Sequence, residues 1–85
     1  MAVTEVISAK LKESFSPTHL EVVDESDGCG AKISVIIISE EFSGKNMLKR
    51  HKAVHAVLKD ELPNIHAFSQ KTHTPAEWAK KQQQS

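Results

Sequence analysis

The chain carries a single cysteine among its 85 residues. One thiol cannot close an internal disulfide, which excludes the stapled scaffold of small secreted domains. Excess charge of one sign is also missing, since eleven Lys and Arg balance eleven Asp and Glu. No overall basic field therefore exists to hold nucleic acid or an acidic membrane. No apolar run approaches the roughly 18–20 residues that cross a bilayer. The opening stretch MAVTEVISAK has neither an apolar targeting core nor an Arg-rich, acid-poor bias. The expected location is thus a reducing compartment, the cytoplasm, with the nucleus left open. Internal repeats and linkers are lacking too. What remains is an ordinary globular composition, 39% hydrophobic and 26% charged. We read residues 1–85 as one domain, ordered from about 3 to 79, with a polar tail over 80–85 that frays. A domain this small forms one modest core but no deep catalytic cleft.

Periodicity orders the chain. Val3, Val6, Ile7, Leu11 and Phe15 fall at helical spacing and predict a helix over 3–15 that stops at Pro17. His19 to Glu25 alternates well enough for a half-exposed strand. Ser26 to Gly30 is turn material, and Lys32 to Ser39 is β-branched on both faces, as a central strand covered on both sides would be. A short Gly-bearing turn between these strands predicts an antiparallel hairpin. Asn46 opens a second helix through about Leu62, ended by Pro63. Its apolar stripe is Met47, His51, Val54, Leu58 and Leu62, with Lys49, Lys52 and Lys59 pointing away. Ile65 to Thr72 reads as a third strand. Thr74-Pro75-Ala76-Glu77 has the form of a capping box with Pro at the first helical position, starting a short last helix that carries Trp78.

The fold class is therefore α+β, in the order α-β-β-α-β-α, with a three-stranded mixed sheet and helices packed on it. A strand–helix–strand unit of this length makes a right-handed crossover between parallel strands. The N-terminal ends of the second and third strands then share one edge. That brings the loop holding Cys29 beside His66, the second residue of the third strand, although 37 positions separate them. Thiolate and imidazole together suit zinc or iron–sulfur iron. Two ligands are too few for a closed structural zinc site, so such a site would be finished from outside. An incidental free thiol near a surface histidine is the plain alternative.

Several stretches together resemble the BolA-like proteins, of the cytosolic type that works with monothiol glutaredoxins. They are Asp27-Gly28-Cys29-Gly30, Glu41 to Lys45, Leu48-x-Arg50-His51-x-x-Val54 with Leu58 and Glu61-Leu62, Ile65 to Thr72, and Thr74-Pro75-x-x-Trp78. The resemblance runs from about residue 3 to residue 79 and implies a fold related to the class II KH domain. It further implies a non-enzymatic partner that shares a [2Fe–2S] cluster with a monothiol glutaredoxin and its glutathione, and holds no cofactor when isolated. Cys29 and His66 match the cluster ligands of that type, and the implied roles are cluster trafficking and iron regulation. Imidazole in place of thiolate raises an iron's reduction potential and makes that ligand protonatable, which favours sensing or handover over storage. Arg50, Lys49, Phe68 and Lys71 are the candidate partner-facing residues.

Other residues have plainer readings. His51, central on the apolar stripe, is expected to be mostly buried and hydrogen-bonded. Arg50 lies at the border of the stripe, able to pair with a carboxylate such as Glu61 or to meet the partner. His19, His55 and His73 read as separate surface residues, and Trp78 packs the last helix on the sheet. A nucleic-acid-binding regulator of KH-like fold is the alternative function. Gly44-Lys45-Asn46-Met47 lacks the Gly-x-x-Gly clamp of KH domains, and neutral net charge weakens that alternative further. Five bases and no acid between Lys45 and Lys59 keep it in play. A Cys29–His66 thiol enzyme is disfavoured, because no orienting group or anion site accompanies the pair. No membrane partner is expected.

Overall fold

The computed structural model describes residues 3–26 and 30–83, with Gln82 and Gln83 given as backbone only. The elements follow as α1 (Val3–Phe15), β1 (His19–Asp24), β2 (Lys32–Ile38), α2 (Met47–Val57), β3 (Ala67–His73) and α3 (Pro75–Gln83). Short 3-10 turns cover Glu40–Phe42 and Leu62–Asn64. The sheet runs β1-β2-β3, with β1 antiparallel and β3 parallel to the central strand. None of the described helices is long and apolar enough to cross a membrane.

Helix α1 occupies the predicted span. Its Ile7, Leu11 and Phe15, each four residues apart, are buried, the stripe that faces a core. Ser16 turns into the left-handed region at φ 43, donates its N–H to the Lys12 carbonyl at 3.0 Å, and hands over to Pro17, which cannot continue a helix. The core is completed by Ile33, Val35 and Ile37 from one face of β2 and by Phe42, Val54 and Leu58. Each such side chain contributes roughly 1.5–3 kcal/mol on full burial. Ser39, 1% exposed, donates its hydroxyl to the Phe15 carbonyl at 2.6 Å and accepts from the Glu41 N–H at 3.1 Å. The end of α1 is thereby tied to the end of β2 without an unpaired polar group.

Five expectations are corrected. Strand β2 is not covered along both faces: on its outer face Ser34 and Ile36 are half-buried and only Ile38 is buried, because α3 is short and overlies one end of the sheet. Helix α2 stops at Val57 rather than near Leu62. Its start is as read, with the Asn46 side chain accepting from the Lys49 N–H at 2.9 Å. Beyond Leu58 the chain winds through a turn into the 3-10 segment containing Pro63, whose ring and missing N–H are incompatible with the α-helical pattern reaching back to residue 59. Met47 is 51% exposed and leaves the core stripe to Val54 and Leu58. Strand β3 starts at Ala67, so His66 precedes it. Finally, α3 runs through Gln83, further than a fraying tail from residue 80. Lys80 and Lys81 in its last turn suit the negative end of the helix dipole.

Candidate functional site

The parallel register pairs Lys32 with Ala67 and Ile38 with His73, so the N-terminal ends of β2 and β3 lie at one edge of the sheet. The Ala31 carbonyl accepts from the His66 N–H at 2.8 Å and from the Ala67 N–H at 3.1 Å. Gly30 has φ 125, a region L side chains rarely enter. A Cβ built on it would meet His66 Cβ at 3.1 Å and Cγ at 3.5 Å. The neck of the loop is closed on the other side, where Glu25 N–H donates to the Lys32 carbonyl at 2.8 Å and Lys32 N–H donates to the Ser26 hydroxyl at 2.9 Å. Ser26 N–H in turn donates to the Asp24 carboxylate at 2.9 Å, and bonds from Ser26 hold the Asp24 pKa below its usual value. Cys29 lies outside the described residues. Its sequence neighbour Gly30 is placed directly against His66.

The His66 side chain is exposed at this edge. Among the described residues no group of three or more His, Cys, Asp and Glu could hold a metal ion. Among the described residues this edge offers one exposed imidazole, that of His66. Imidazole is a side chain able to ligate a borderline-soft metal centre, and any further ligands of such a centre would come from elsewhere.

The other candidates do not converge on this edge as one group. Phe68, two residues on, is half-buried with its ring 6.1 Å from that of His55. Lys49 is exposed in the first turn of α2, and Lys71 is exposed on the outer face of the sheet, in register with Ile36. Arg50 has another occupation. It is 7% exposed, and its guanidinium grips Glu77 of α3 through two bonds of 2.8 and 3.0 Å. It also donates to the Lys45 carbonyl at 2.8 Å and the Thr72 carbonyl at 3.2 Å, and lies 5.9 Å from the Phe42 ring centroid. Its partner is thus Glu77 and not Glu61, which pairs instead with Lys10 of α1 at 2.8 Å. The Arg50 guanidinium pulls the Glu77 carboxyl down to about 2, aided by the Thr74 N–H.

Three histidines also depart from their readings. His51 Nε2 is buried without a hydrogen-bond partner among the described residues. His19 and His73 are not isolated: both are register partners of Ile38, on its two sides. Their rings stack against Trp78 with centroids 5.8 and 5.9 Å away. The indole of α3 therefore lies across the row whose centre is Ile38, itself 1% exposed. Burial, and then Lys81, push the His73 pKa below its usual value, against the pull of Glu77. This stack was not legible beforehand, because it needs the register of all three strands at once.

A two-layer α+β domain with a mixed three-stranded sheet, offering an exposed histidine where a crossover meets a glycine loop, defines a class of small helical–sheet modules. Comparison makes the class specific. Residues 11–77 match the family model described as BolA-like protein. The protein BOLA2 of Arabidopsis thaliana is 43% identical over 86 residues, covering 100% of this chain and 92% of its own length. BolA-like protein 2 of Homo sapiens is 42% identical over 80 residues, covering 93% of each chain. The crystal structure of a Bol-like protein from Babesia bovis superposes with a TM-score of 0.89 at 39% identity, covering 96% of this chain and 95% of that one. The chain belongs to the BolA-like family.

Proposed function

We propose that this BolA-like chain is a non-enzymatic partner of a monothiol glutaredoxin, with which it co-ligates a bridging [2Fe–2S] cluster as cargo. Cys29 and His66 supply this chain's ligands, while the glutaredoxin and its bound glutathione supply the others. The observation that carries the reading is the placement of the Gly30–Ala31 segment, which directly follows Cys29, against the backbone and Cβ of exposed His66. A partial ligand pair at an open rim suits a shared cluster that is passed on. Histidine ligation makes the handover sensitive to protonation, since a protonated imidazole cannot bind iron. Trafficking of clusters and iron regulation follow as the biological role, in the cytoplasm.

The test is anaerobic reconstitution of this chain with a monothiol glutaredoxin, glutathione, iron and sulfide, followed by visible absorption and circular dichroism. His66→Ala removes the spectrum of the mixed cluster, and Cys29→Ala weakens or shifts it while an apo-complex survives. Spectra and lifetimes identical to the parent in both variants would refute the ligand assignment.

A second reading has one observation in its favour. A relative 36% identical over 85 residues is named DNA-binding transcriptional regulator BolA in Escherichia coli. The exposed Lys49, Lys52 and Lys59 could contact phosphate. Binding that survives physiological salt in a gel-shift titration supports that reading, whereas weak binding that vanishes there removes it.

A further inference from the structure

We infer that Gly30 is a positioning residue for His66: its bare α-carbon and the adjoining Ala31 carbonyl together fix where the imidazole leaves the rim. The inference rests on the cluster-sharing function proposed above and adds what orients the histidine within it.

Two contacts converge on His66 from one dipeptide. Ala31 holds its N–H at 2.8 Å, which fixes the backbone immediately before β3. Gly30 faces its Cβ, and a methyl there would stand 3.1 Å from that carbon and 3.5 Å from Cγ. An ordinary carbon–carbon contact needs about 3.5–4.0 Å. The histidine would have to retreat by a few tenths of an ångström, and its ring would swing with it. Because the side chain is exposed, packing alone holds its χ1 loosely, and the close face of Gly30 is a restraint on it. The φ of 125 adds an independent demand for glycine. An L-alanine at this position thus brings both backbone strain and a collision. A D-alanine relieves the strain, since a D residue favours positive φ, and it carries its methyl on the opposite side of the α-carbon.

The two stereoisomers give the experiment. The chain can be assembled by ligation at the Gly28–Cys29 junction, which places residue 30 in the synthetic segment. In the apo protein, three-bond couplings of His66 report χ1, and sheet amide shifts report the fold. With glutaredoxin, glutathione, iron and sulfide, visible circular dichroism and cluster lifetime report the site. Gly30→Ala is expected to shift the His66 couplings while the sheet amides persist. The mixed cluster should then be lost about tenfold faster, the lower end of the effect seen when a group orienting a metal ligand is removed. The D-alanine chain is expected to keep the parental couplings and lifetime. If Gly30→Ala leaves the His66 couplings and the lifetime at parental values, or lowers thermal stability alone, the inference is overturned. Should the L-alanine chain fail to fold, the D-alanine chain decides: parental couplings uphold the role of the occupied side, and altered couplings refute it. A parent chain that forms no mixed cluster overturns the proposed function instead, and the apo couplings still judge Gly30.

Discussion

Glu77→Gln isolates the clamp that holds α3 to the body of the domain. Helix α3 has no buried residue among those described, so its docking depends on Trp78, the Thr74 cap and the Arg50–Glu77 pair. The Arg50 guanidinium holds the Glu77 carboxyl at about 2, well below its ordinary 4.5. The Glu77 side chain is 47% exposed, and solvent screens such pairs. Hydrogen bonds to a charged group contribute about 1.5–3 kcal/mol, and the lower end, about 1.5 kcal/mol, is the reasoned value here. In a domain of this size it corresponds to a fall in Tm of about 6–12 °C. The sign with pH follows from a depressed carboxylate. Its contribution is complete above about pH 4.5 and is lost as pH falls toward 2. Guanidinium titrations at pH 7, 4 and 3 should therefore show Glu77→Gln less stable than the parent at pH 7, with the gap closing in acid. A cycle with Arg50→Met should give a coupling of about 1–2 kcal/mol. A Tm change under about 2 °C at pH 7, or a gap independent of pH, would refute the clamp.

Two further outcomes follow from the two faces of β2 and from His73. Ile37→Ala, on the core face, should lower stability by about 2–5 kcal/mol, whereas Ile36→Ala, on the half-covered outer face, should remain under about 1.5 kcal/mol; denaturant midpoints with equal slopes check the contrast. His73 has a lowered pKa, principally from burial, so its contribution is present above about pH 6.5 and is lost as pH falls through the lowered folded value. His73→Asn should flatten the loss of stability measured between pH 6.5 and 5, and an unchanged slope would show that the group does not titrate on unfolding.

Local chemistry in this chain was readable wherever a few consecutive residues decide the structure. The Thr74–Glu77 capping box forms as its spacing implies, with N–H to carboxylate at 3.0 Å and N–H to hydroxyl at 3.2 Å. The hairpin and the parallel crossover follow from connection lengths and chirality, and they carry His66 to the edge occupied by the loop. What was not readable depends on partners remote in sequence. Arg50 faced two carboxylates of equal chemistry, and only the docking angle of α3 selects Glu77 over Glu61. His19, His73 and Trp78 lie on three elements, and no period within any one of them announces a stack. Gly30 was legible as turn material, but its approach to His66 depends on a strand that begins 37 residues later, at Ala67.

The same topology separates stability from the site. His66 precedes the first residue of β3, while His73 ends the strand and Thr74 and the Glu77 clamp follow it. Seven residues of strand span about 20 Å, and changes more than about 7–10 Å apart without shared partners add to within about 0.5 kcal/mol. Exposed His66 should therefore be replaceable by Ala with less than about 0.5 kcal/mol change in the free chain, although it is the residue on which cluster ligation is proposed to depend. Glu77→Gln should do the reverse, lowering Tm while leaving the visible circular dichroism of a glutaredoxin complex at parental shape. The double variant should show the sum of the two stability effects, read by denaturant titration, and the spectrum of His66→Ala alone. A coupling above about 1 kcal/mol, or a cluster spectrum altered by Glu77→Gln, would mean that α3 communicates with the rim through the parallel strand pair. The two ends of β3 would then have to be treated as one cooperative unit.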